Sequence, residues 1–202
     1  GDITSSSYSL VDYNRCGIPL AEIVTEPDFR SPEEARIFLI QLRSMVQHLG
    51  VCDGNMEKGS MRCDANISLR NTKSTTLGTK VEIKNMNSFK AVKKALQFEV
   101  DRQKMLLKEG IEIIQETRHW DESKNVTVSM RSKEEAHDYR YFPEPDLLPL
   151  KLDSKMTDEI RKNLPELPEV RRERFIKDYQ IPTYDAEILI SSKALGDFFD
   201  KA

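Results

Sequence analysis

The fold is decided by two short stretches, RCDANISLR at residues 62–70 and TKVEIK at residues 79–84. In each, small or apolar side chains alternate with polar ones, which is the period of a β-strand with one buried face. Residues 71–78 between them are polar and rich in turn-forming types. The pattern predicts an antiparallel hairpin with a somewhat long loop, whose polar face carries Asp64 and Glu82.

Two helices are predicted to flank this hairpin. The first begins at Ser31, an N-cap followed by Pro32 at the first helical position and by Glu34, which completes a capping box; it ends at Gly50. The second extends from about Ser88 to residue 110. We expect its apolar side chains to be buried and its Lys and Glu side chains to form a solvated face.

Beyond residue 110 the sequence pattern first predicts two more strands, at residues 111–120 and 126–131, on either side of a polar turn. Segments separated by prolines then predict helices at residues 155–164, 169–179 and 184–200. The fold class is therefore α+β.

A shift in composition places a domain boundary near Leu150. Residues 1–150 are interpreted as one domain with an antiparallel sheet and flanking helices, and residues 151–202 as the beginning of a helical domain. The chain opens on Gly1 and ends shortly after an apolar Phe-Phe pair, so we interpret it as an interior piece of a longer protein.

Composition limits the classes of function. The 202 residues include 31 Lys and Arg against 34 Asp and Glu, so the basic excess of a protein that binds nucleic acid mainly through phosphates is absent. Apolar runs are only a few residues long, whereas a membrane span needs about 20. The three cysteines, Cys16, Cys52 and Cys63, form no CxxC pair. We expect a globular cytoplasmic protein with reduced thiols and no membrane partner.

Common catalytic motifs are also missing. The sequence contains no GxxxxGK[ST] loop, no GxGxxG and no GxSxG. Nucleophilic hydrolysis and the usual glycine-rich phosphate loops are therefore not supported.

The polar face of the hairpin offers a different chemistry. If paired residue numbers sum to 146, Asp64 lies directly opposite Glu82, with Cβ atoms roughly 4.5–5.5 Å apart; if they sum to 148, the two are diagonal neighbours at about 7–8 Å. Two carboxylates at that separation repel each other, or one takes up a proton, unless a cation lies between them. Magnesium prefers one or two protein carboxylates together with waters and phosphate oxygens, so this face fits a magnesium site.

A structural alternative uses the same face. Arg62, Lys80 and Lys84 are predicted to lie beside the two acids, so a ladder of cross-strand ion pairs also satisfies both carboxylates. Geometry alone favours the ladder.

Six motifs give the chain a resemblance to a known family. They are NRCGIPL at 14–20, EPD at 26–28, MEKGSMRCDAN at 56–66, GTKVEIKNMNS at 78–88, QETR at 115–118 and DYRYFPEPD at 138–146. In this order they resemble the B subunits of aspartyl/glutamyl-tRNA amidotransferases, from about Ser9 to the end of the chain.

The resemblance implies an ATP-dependent carbon–nitrogen ligase. In that family ATP and Mg²⁺ phosphorylate the side-chain carboxylate of Glu or Asp misattached to tRNA(Gln) or tRNA(Asn). Ammonia, which the family's amidase (the A subunit) releases from glutamine, then forms the amide. The small C subunit completes the complex. The fold implied is an antiparallel cradle similar to glutamine synthetase, followed by a helical domain.

The resemblance also assigns candidate site residues. Asp64 and Glu82 match acids at the magnesium and phosphoryl-transfer site. Lys80, Arg62 and Lys84 are candidates for stabilising phosphate charge. Arg131 and Arg140 are candidates for contact with ATP or the acceptor terminus.

Two parts of the family's full-length protein are missing from this sequence. One is the upstream half, which supplies further acidic and histidine ligands and often a zinc site, and the other is the tRNA-binding tail. We therefore expect the piece alone not to form amide. Two alternatives stay open: a docking module for the amidase or tRNA, and a ligase acting on a free amino acid, which predicts turnover without tRNA. The sequence does not choose between Glu-tRNA(Gln) and Asp-tRNA(Asn).

Overall fold

A four-stranded sheet, two long helices and a group of short helices make up the structure, a computed structural model that describes residues 11, 13, 14, 17–130 and 147–202. In chain order the elements are α1 (Pro32–His48), β1 (Ala65–Ile67), β2 (Val81–Lys84), α2 (Phe89–Lys108), β3 (Glu116–Asp121), β4 (Val126–Ser129), α3 (Ser154–Asn163), α4 (Pro168–Tyr179), α5 (Thr183–Leu189) and α6 (Lys193–Phe199). The predicted α+β class is confirmed. None of the helices in the described ranges is long and apolar enough to cross a membrane.

The N-terminus of α1 forms at the predicted cap. The Ser31 hydroxyl accepts a hydrogen bond from the backbone N–H of Glu34 at 3.2 Å. The Glu34 carboxylate reaches one residue further back than a regular capping box and accepts from the N–H of Arg30 at 2.6 Å. Gly50 follows the helix with φ +69°, the left-handed conformation that ends helices.

Helix α2 also begins after its predicted cap, Ser88, and ends before Gly110. Its buried side includes Val92 and Leu96, as predicted. The prediction that its Glu side chains are solvated is wrong at Glu99, which is 0% exposed. Two arginines and a hydroxyl group surround the Glu99 carboxylate, and these partners compensate the loss of water.

The sheet has the order β1-β2-β3-β4. The predicted β1–β2 hairpin is antiparallel, and so is the β3–β4 pair, but β2 and β3 run parallel. The expectation of an antiparallel sheet is therefore wrong, because the sheet is mixed. Helix α2 connects β2 to β3 and carries the chain back to the end at which β2 began, so the two strands enter the sheet in the same direction.

Both predicted hairpin strands are shorter in the structure than in the sequence pattern, at three residues in β1 and four in β2. The predicted alternation is nevertheless confirmed, since Val81 and Ile83 are 0% exposed while Glu82 and Lys84 are only half-buried. Ile83 packs in the core with Val92 and other residues of α2. Helix α2 therefore covers one face of the sheet, and the polar residues of β2 lie on the other face.

The C-terminal helices surround Phe175, which is 0% exposed. Its ring makes edge-to-face contacts with Tyr179 and Phe199, at centroid distances of 5.6 and 5.0 Å. The single helix predicted at residues 184–200 is two helices, α5 and α6, because Ser192 caps a new one by accepting from the N–H of Leu195 at 3.2 Å. The boundary near residue 150 and the glutamine synthetase-like cradle stay predictions.

Candidate functional site

The face of the sheet opposite α2 carries two rows of polar side chains. Paired residues of neighbouring strands share a face, so the register places Asn66, Glu82 and Thr117 in one row across β1, β2 and β3. In the next row Lys84 pairs with His119. Glu82 and Lys84 are predicted on this face from the sequence, whereas the two β3 residues are not.

The two candidate acids follow the second of the two possible registers. Ala65 pairs with Ile83, so paired numbers sum to 148. Asp64 precedes β1, and the same register places it opposite Lys84 and diagonal to Glu82. Both acids therefore lie on one side of the hairpin.

Lys84 lies between the two acids. Its Nζ atom is 3.5 Å from Oδ2 of Asp64 and 3.5 Å from Oε1 of Glu82. Burial would lower the pKa of Lys84, but the charges of Glu82 and Asp64 outweigh that effect and the pKa lies above its ordinary value. The ammonium is therefore charged at neutral pH, as the ion-pair alternative predicts.

The acid pair is open to solvent as well as paired. The side chains of Asp64 and Glu82 are 52% and 31% exposed. Ions and ligands in solution therefore reach both carboxylates, and Lys84 compensates their repulsion without shielding them.

The second oxygen of Glu82 has a partner of its own. The Thr117 hydroxyl donates to Oε2 of Glu82 at 2.8 Å. The two Glu82 oxygens are thus distinguished, since Oε1 faces the Lys84 ammonium and Oε2 accepts from an uncharged hydroxyl. No short-range signal reveals this contact, because β3 reaches β2 only after the whole of α2.

The other basic candidates are not brought to the acids. Arg62 and Lys80 are exposed and form no ion pair within the part of the chain that the structure describes. Arg131 and Arg140 lie outside the described residues. Of the five basic side chains predicted, Lys84 is the one that the structure places in contact with the acid pair.

A buried polar cluster supports β3 from the opposite side of the sheet. The Glu99 carboxylate of α2 accepts from Arg102 Nε and from the Thr127 hydroxyl, each at 3.0 Å, and from the Gln103 amide at 3.0 Å. Arg118 Nε lies 3.6 Å from the same carboxylate. These contacts connect α2 to β3 and β4 through groups removed from water.

Glu116 extends this cluster along β3. It accepts from Arg118 at 2.6 Å and from the Ser129 hydroxyl of β4. Burial would raise the pKa of Glu116, but these hydrogen bonds and the charges of Arg118 and Arg102 lower it below its ordinary value. Glu116 and Arg118 therefore face α2, whereas Thr117 between them faces the acid pair, as the pleat of a strand requires.

A thiol close to the acids is not activated. Burial, together with the charge of Asp64, raises the pKa of Cys63 to about 11. Cys63 is therefore a neutral packing residue at physiological pH. Within the described residues no group of three or more His, Cys, Asp or Glu side chains has an arrangement that could hold a metal ion.

Two cavities open near the C-terminal end of α1. One, of about 440 Å³, reaches Ser192 and Lys193 at the start of α6; the other, of about 570 Å³, reaches Asn87 and Ser88 before α2. Arg43 lines both. Neither of these two cavities includes Asp64, Glu82 or Lys84.

The chain is similar to a family of known proteins. Residues 2–158 match the model of the family described as the GatB/GatE catalytic domain. The B subunit of the aspartyl/glutamyl-tRNA(Asn/Gln) amidotransferase of Carboxydothermus hydrogenoformans is 56% identical over 202 residues, which is 100% of this chain and 42% of that protein. The protein of the same name from Thermodesulfovibrio yellowstonii is 57% identical over 197 residues, 98% of this chain and 42% of that protein. That from Thermotoga maritima is 54% identical over 199 residues, 98% and 41%. The chain thus spans less than half the length of these relatives.

Proposed function

The chain belongs to the GatB/GatE catalytic domain family, and from this premise we propose that it forms part of the B subunit of a tRNA-dependent amidotransferase. The substrate is Glu misattached to tRNA(Gln) or Asp misattached to tRNA(Asn). The observation that carries the proposal is the solvent-accessible acid pair, Asp64 and Glu82, on one face of the hairpin with the Lys84 ammonium between them.

The proposed reaction has two steps. A side-chain carboxylate oxygen of the misattached amino acid attacks the γ-phosphorus of ATP, the bond to the β-phosphate oxygen breaks, and ADP leaves. Ammonia then attacks the carbon of the acyl phosphate, phosphate leaves with one ammonia proton, and the amide remains. Glutamine supplies the ammonia through the amidase.

The donor set fits magnesium. Asp64 and Glu82 provide carboxylate oxygens, and the position of Lys84 at 3.5 Å from both supports a pair that accommodates a positive charge. The two acids would hold Mg²⁺, with waters and phosphate oxygens completing its ligands. A Mg²⁺ ion bound to the two acids would neutralise negative charge on the phosphate groups.

The basic residues are proposed to bind phosphate. Phosphoryl transfer depends on positioning and on neutralising charge spread over the phosphate oxygens, which a charged Lys84 beside the acids provides as a point charge. Lys80 and Arg62 are exposed on the same hairpin and are free to turn towards a bound phosphate chain. Arg131 and Arg140 are proposed contacts for ATP or the acceptor end of the tRNA.

The proposed partners follow from the family. They are the amidase (the A subunit), the small C subunit and the misacylated tRNA, in a cytoplasmic complex. A net charge of −3 supports tRNA contacts that are local to the site, with most of the phosphate binding supplied by other parts of the complex.

The test removes one charge at a time without changing side-chain shape. Asp64→Asn and Glu82→Gln are introduced into the full-length protein, which is assembled with its partners and assayed for ATP-dependent phosphorylation of the misacylated tRNA. Each is expected to lower the rate at least 100-fold, about 3 kcal/mol of transition-state stabilisation, with folding and tRNA binding intact. Glu112→Gln, at an exposed acid before β3, is the matched control and is expected to be neutral.

Unchanged turnover in both variants would overturn the proposal. The Asp64–Lys84–Glu82 contacts would then be a structural ion-pair ladder, and the chain a docking module for the amidase or tRNA.

A further inference from the structure

The QETR motif at residues 115–118 presents one side chain to the acid pair. Glu116 and Arg118 face α2 and take part in the buried Glu99 cluster. Thr117 points to the opposite face, pairs with Glu82 in the parallel register and donates its hydroxyl to Glu82 Oε2 at 2.8 Å. The motif therefore contains one residue whose polar group is directed at a proposed ligand.

We propose that Thr117 is a positioning residue that reserves a single oxygen of Glu82 for a divalent cation and so favours Mg²⁺ over larger ions. The inference rests on the proposed function of the acid pair. A hydroxyl bound to Oε2 leaves Oε1, which pairs with the Lys84 ammonium on the side of Asp64, as the oxygen that a divalent cation would reach by displacing the ammonium. Mg²⁺ demands near-ideal octahedral geometry, whereas Ca²⁺ readily takes both oxygens of one carboxylate.

Thr117 is held firmly enough for this role. A threonine has a restricted χ1 angle because it is branched at Cβ. Its neighbours on β3 are fixed from behind, since Arg118 donates to the Thr127 hydroxyl at 2.9 Å and to the Thr127 carbonyl at 2.8 Å. The Met130 N–H also donates to the Thr117 carbonyl at 3.0 Å. The Thr117 hydroxyl is thus presented to Glu82 by a backbone anchored on both sides.

The experiment separates the hydroxyl from the shape of the side chain. Thr117→Val keeps the branched shape and removes the donor, while Thr117→Ser keeps the donor. Thr79→Val, at an exposed threonine before β2, is the matched control. Each variant is made in the full-length protein within the assembled complex, and Mn²⁺ binding is measured by electron paramagnetic resonance without ATP or tRNA, followed by displacement with Mg²⁺ and with Ca²⁺.

Thr117→Val is expected to reduce the preference for Mg²⁺ over Ca²⁺ by about tenfold, in line with the 10–100-fold effects of residues that orient metal ligands. It is also expected to lower kcat at saturating Mg²⁺ while KM for the tRNA stays unchanged. Thr117→Ser and Thr79→Val are expected to match the unaltered protein in both readouts.

An unchanged preference for Mg²⁺ over Ca²⁺ in Thr117→Val would overturn the inference. Thr117→Ser as impaired as Thr117→Val would also overturn it, because the effect would then come from packing rather than from the hydroxyl. The proposed function fails separately, if Asp64→Asn and Glu82→Gln leave Mn²⁺ binding intact. Failure to detect Mn²⁺ binding in the unaltered protein would overturn both.

Discussion

The hydroxyl of Thr127 on β4 donates a 3.0 Å hydrogen bond to the carboxylate of Glu99, which lies on α2 and is 0% exposed. The contact links the covering helix to the last strand of the sheet. It is possible only because Arg102 and Arg118 bring positive charge to the same carboxylate. An isolated charge at this position would be far too costly to bury, so the burial of Glu99 depends on all of its partners together.

Removing Glu99 is therefore expected to be severe. Glu99→Ala leaves two arginines without their buried partner and is expected to lower the free energy of unfolding by about 3–5 kcal/mol, measured by urea denaturation. Glu112→Ala, at an exposed acid, is expected to change it by less than about 0.5 kcal/mol. A loss under about 1 kcal/mol for Glu99→Ala would contradict the role of the cluster.

The C-terminal helices depend on one aromatic side chain. Phe175→Ala removes a ring that is 0% exposed and in contact with Tyr179 and Phe199, and it is expected to cost about 3–5 kcal/mol. Phe198 is 71% exposed, so Phe198→Ala is the matched control and should be nearly neutral. Hydrogen exchange of the amides in α4, α5 and α6 measures the effect locally. Equal exchange rates in the two variants would contradict it.

Acid is expected to destabilise the same helices. Hydrogen bonds from Lys193 and Arg171 hold the pKa of Asp197 at about 2. Hydrogen bonds from Arg174 also lower the pKa of Asp200, because they outweigh the opposing effect of burial. A pKa that is lower in the folded state than in the unfolded state means that the ionised carboxylate stabilises the fold. This stabilisation is fully present above the pKa of Asp in the unfolded chain, about 3.9, and is lost as the pH falls towards about 2.

The measurement is thermal unfolding of these helices between pH 5 and about 2. Asp197→Asn is expected to flatten the pH dependence in this window, because the variant no longer loses a favourable charge on protonation. Asp158→Asn, at an exposed acid of α3 that pairs with Arg161 of the same helix, is the control. A variant as acid-sensitive as the unaltered protein would show that Asp197 does not contribute.

Local features of the fold were predictable from sequence, because they depend on neighbouring residues. The caps at Ser31 and Ser88 and the alternation around Val81 and Ile83 each depend on side chains within a few positions of one another. The same alternation placed Asp64 and Glu82 on one face.

Long-range features were not predictable. The parallel pairing of β2 and β3 depends on the path of α2, and the 2.8 Å contact between Thr117 and Glu82 depends on that pairing. Glu99 has a residue type that is normally exposed, and two of the groups that make its burial tolerable, Arg118 and Thr127, are distant in sequence.

Lys84 provides the sharpest test of the acid pair, because an ammonium and a divalent cation would compete for the same oxygens. Its Nζ lies 3.5 Å from both Asp64 and Glu82, so Lys84→Met leaves two like charges without compensation. Mn²⁺ affinity is expected to rise about fivefold, since one pair of charges near 4 Å is worth about 1 kcal/mol in water. Turnover is expected to fall, because the charge proposed to neutralise phosphate is gone.

Opposite changes in affinity and turnover distinguish this competition from a general loss of structure, which would weaken both. Lys73→Met, at an exposed lysine in the loop between the two hairpin strands, is the matched control and is expected to leave Mn²⁺ affinity unchanged, because solvent screens its charge. A Lys84→Met variant that keeps its fold but binds Mn²⁺ less tightly would contradict the competition and would mean that the ammonium orders the carboxylates. In that case the ladder and the cation site are one arrangement, in which Lys84 holds Asp64 and Glu82 in place for the ion.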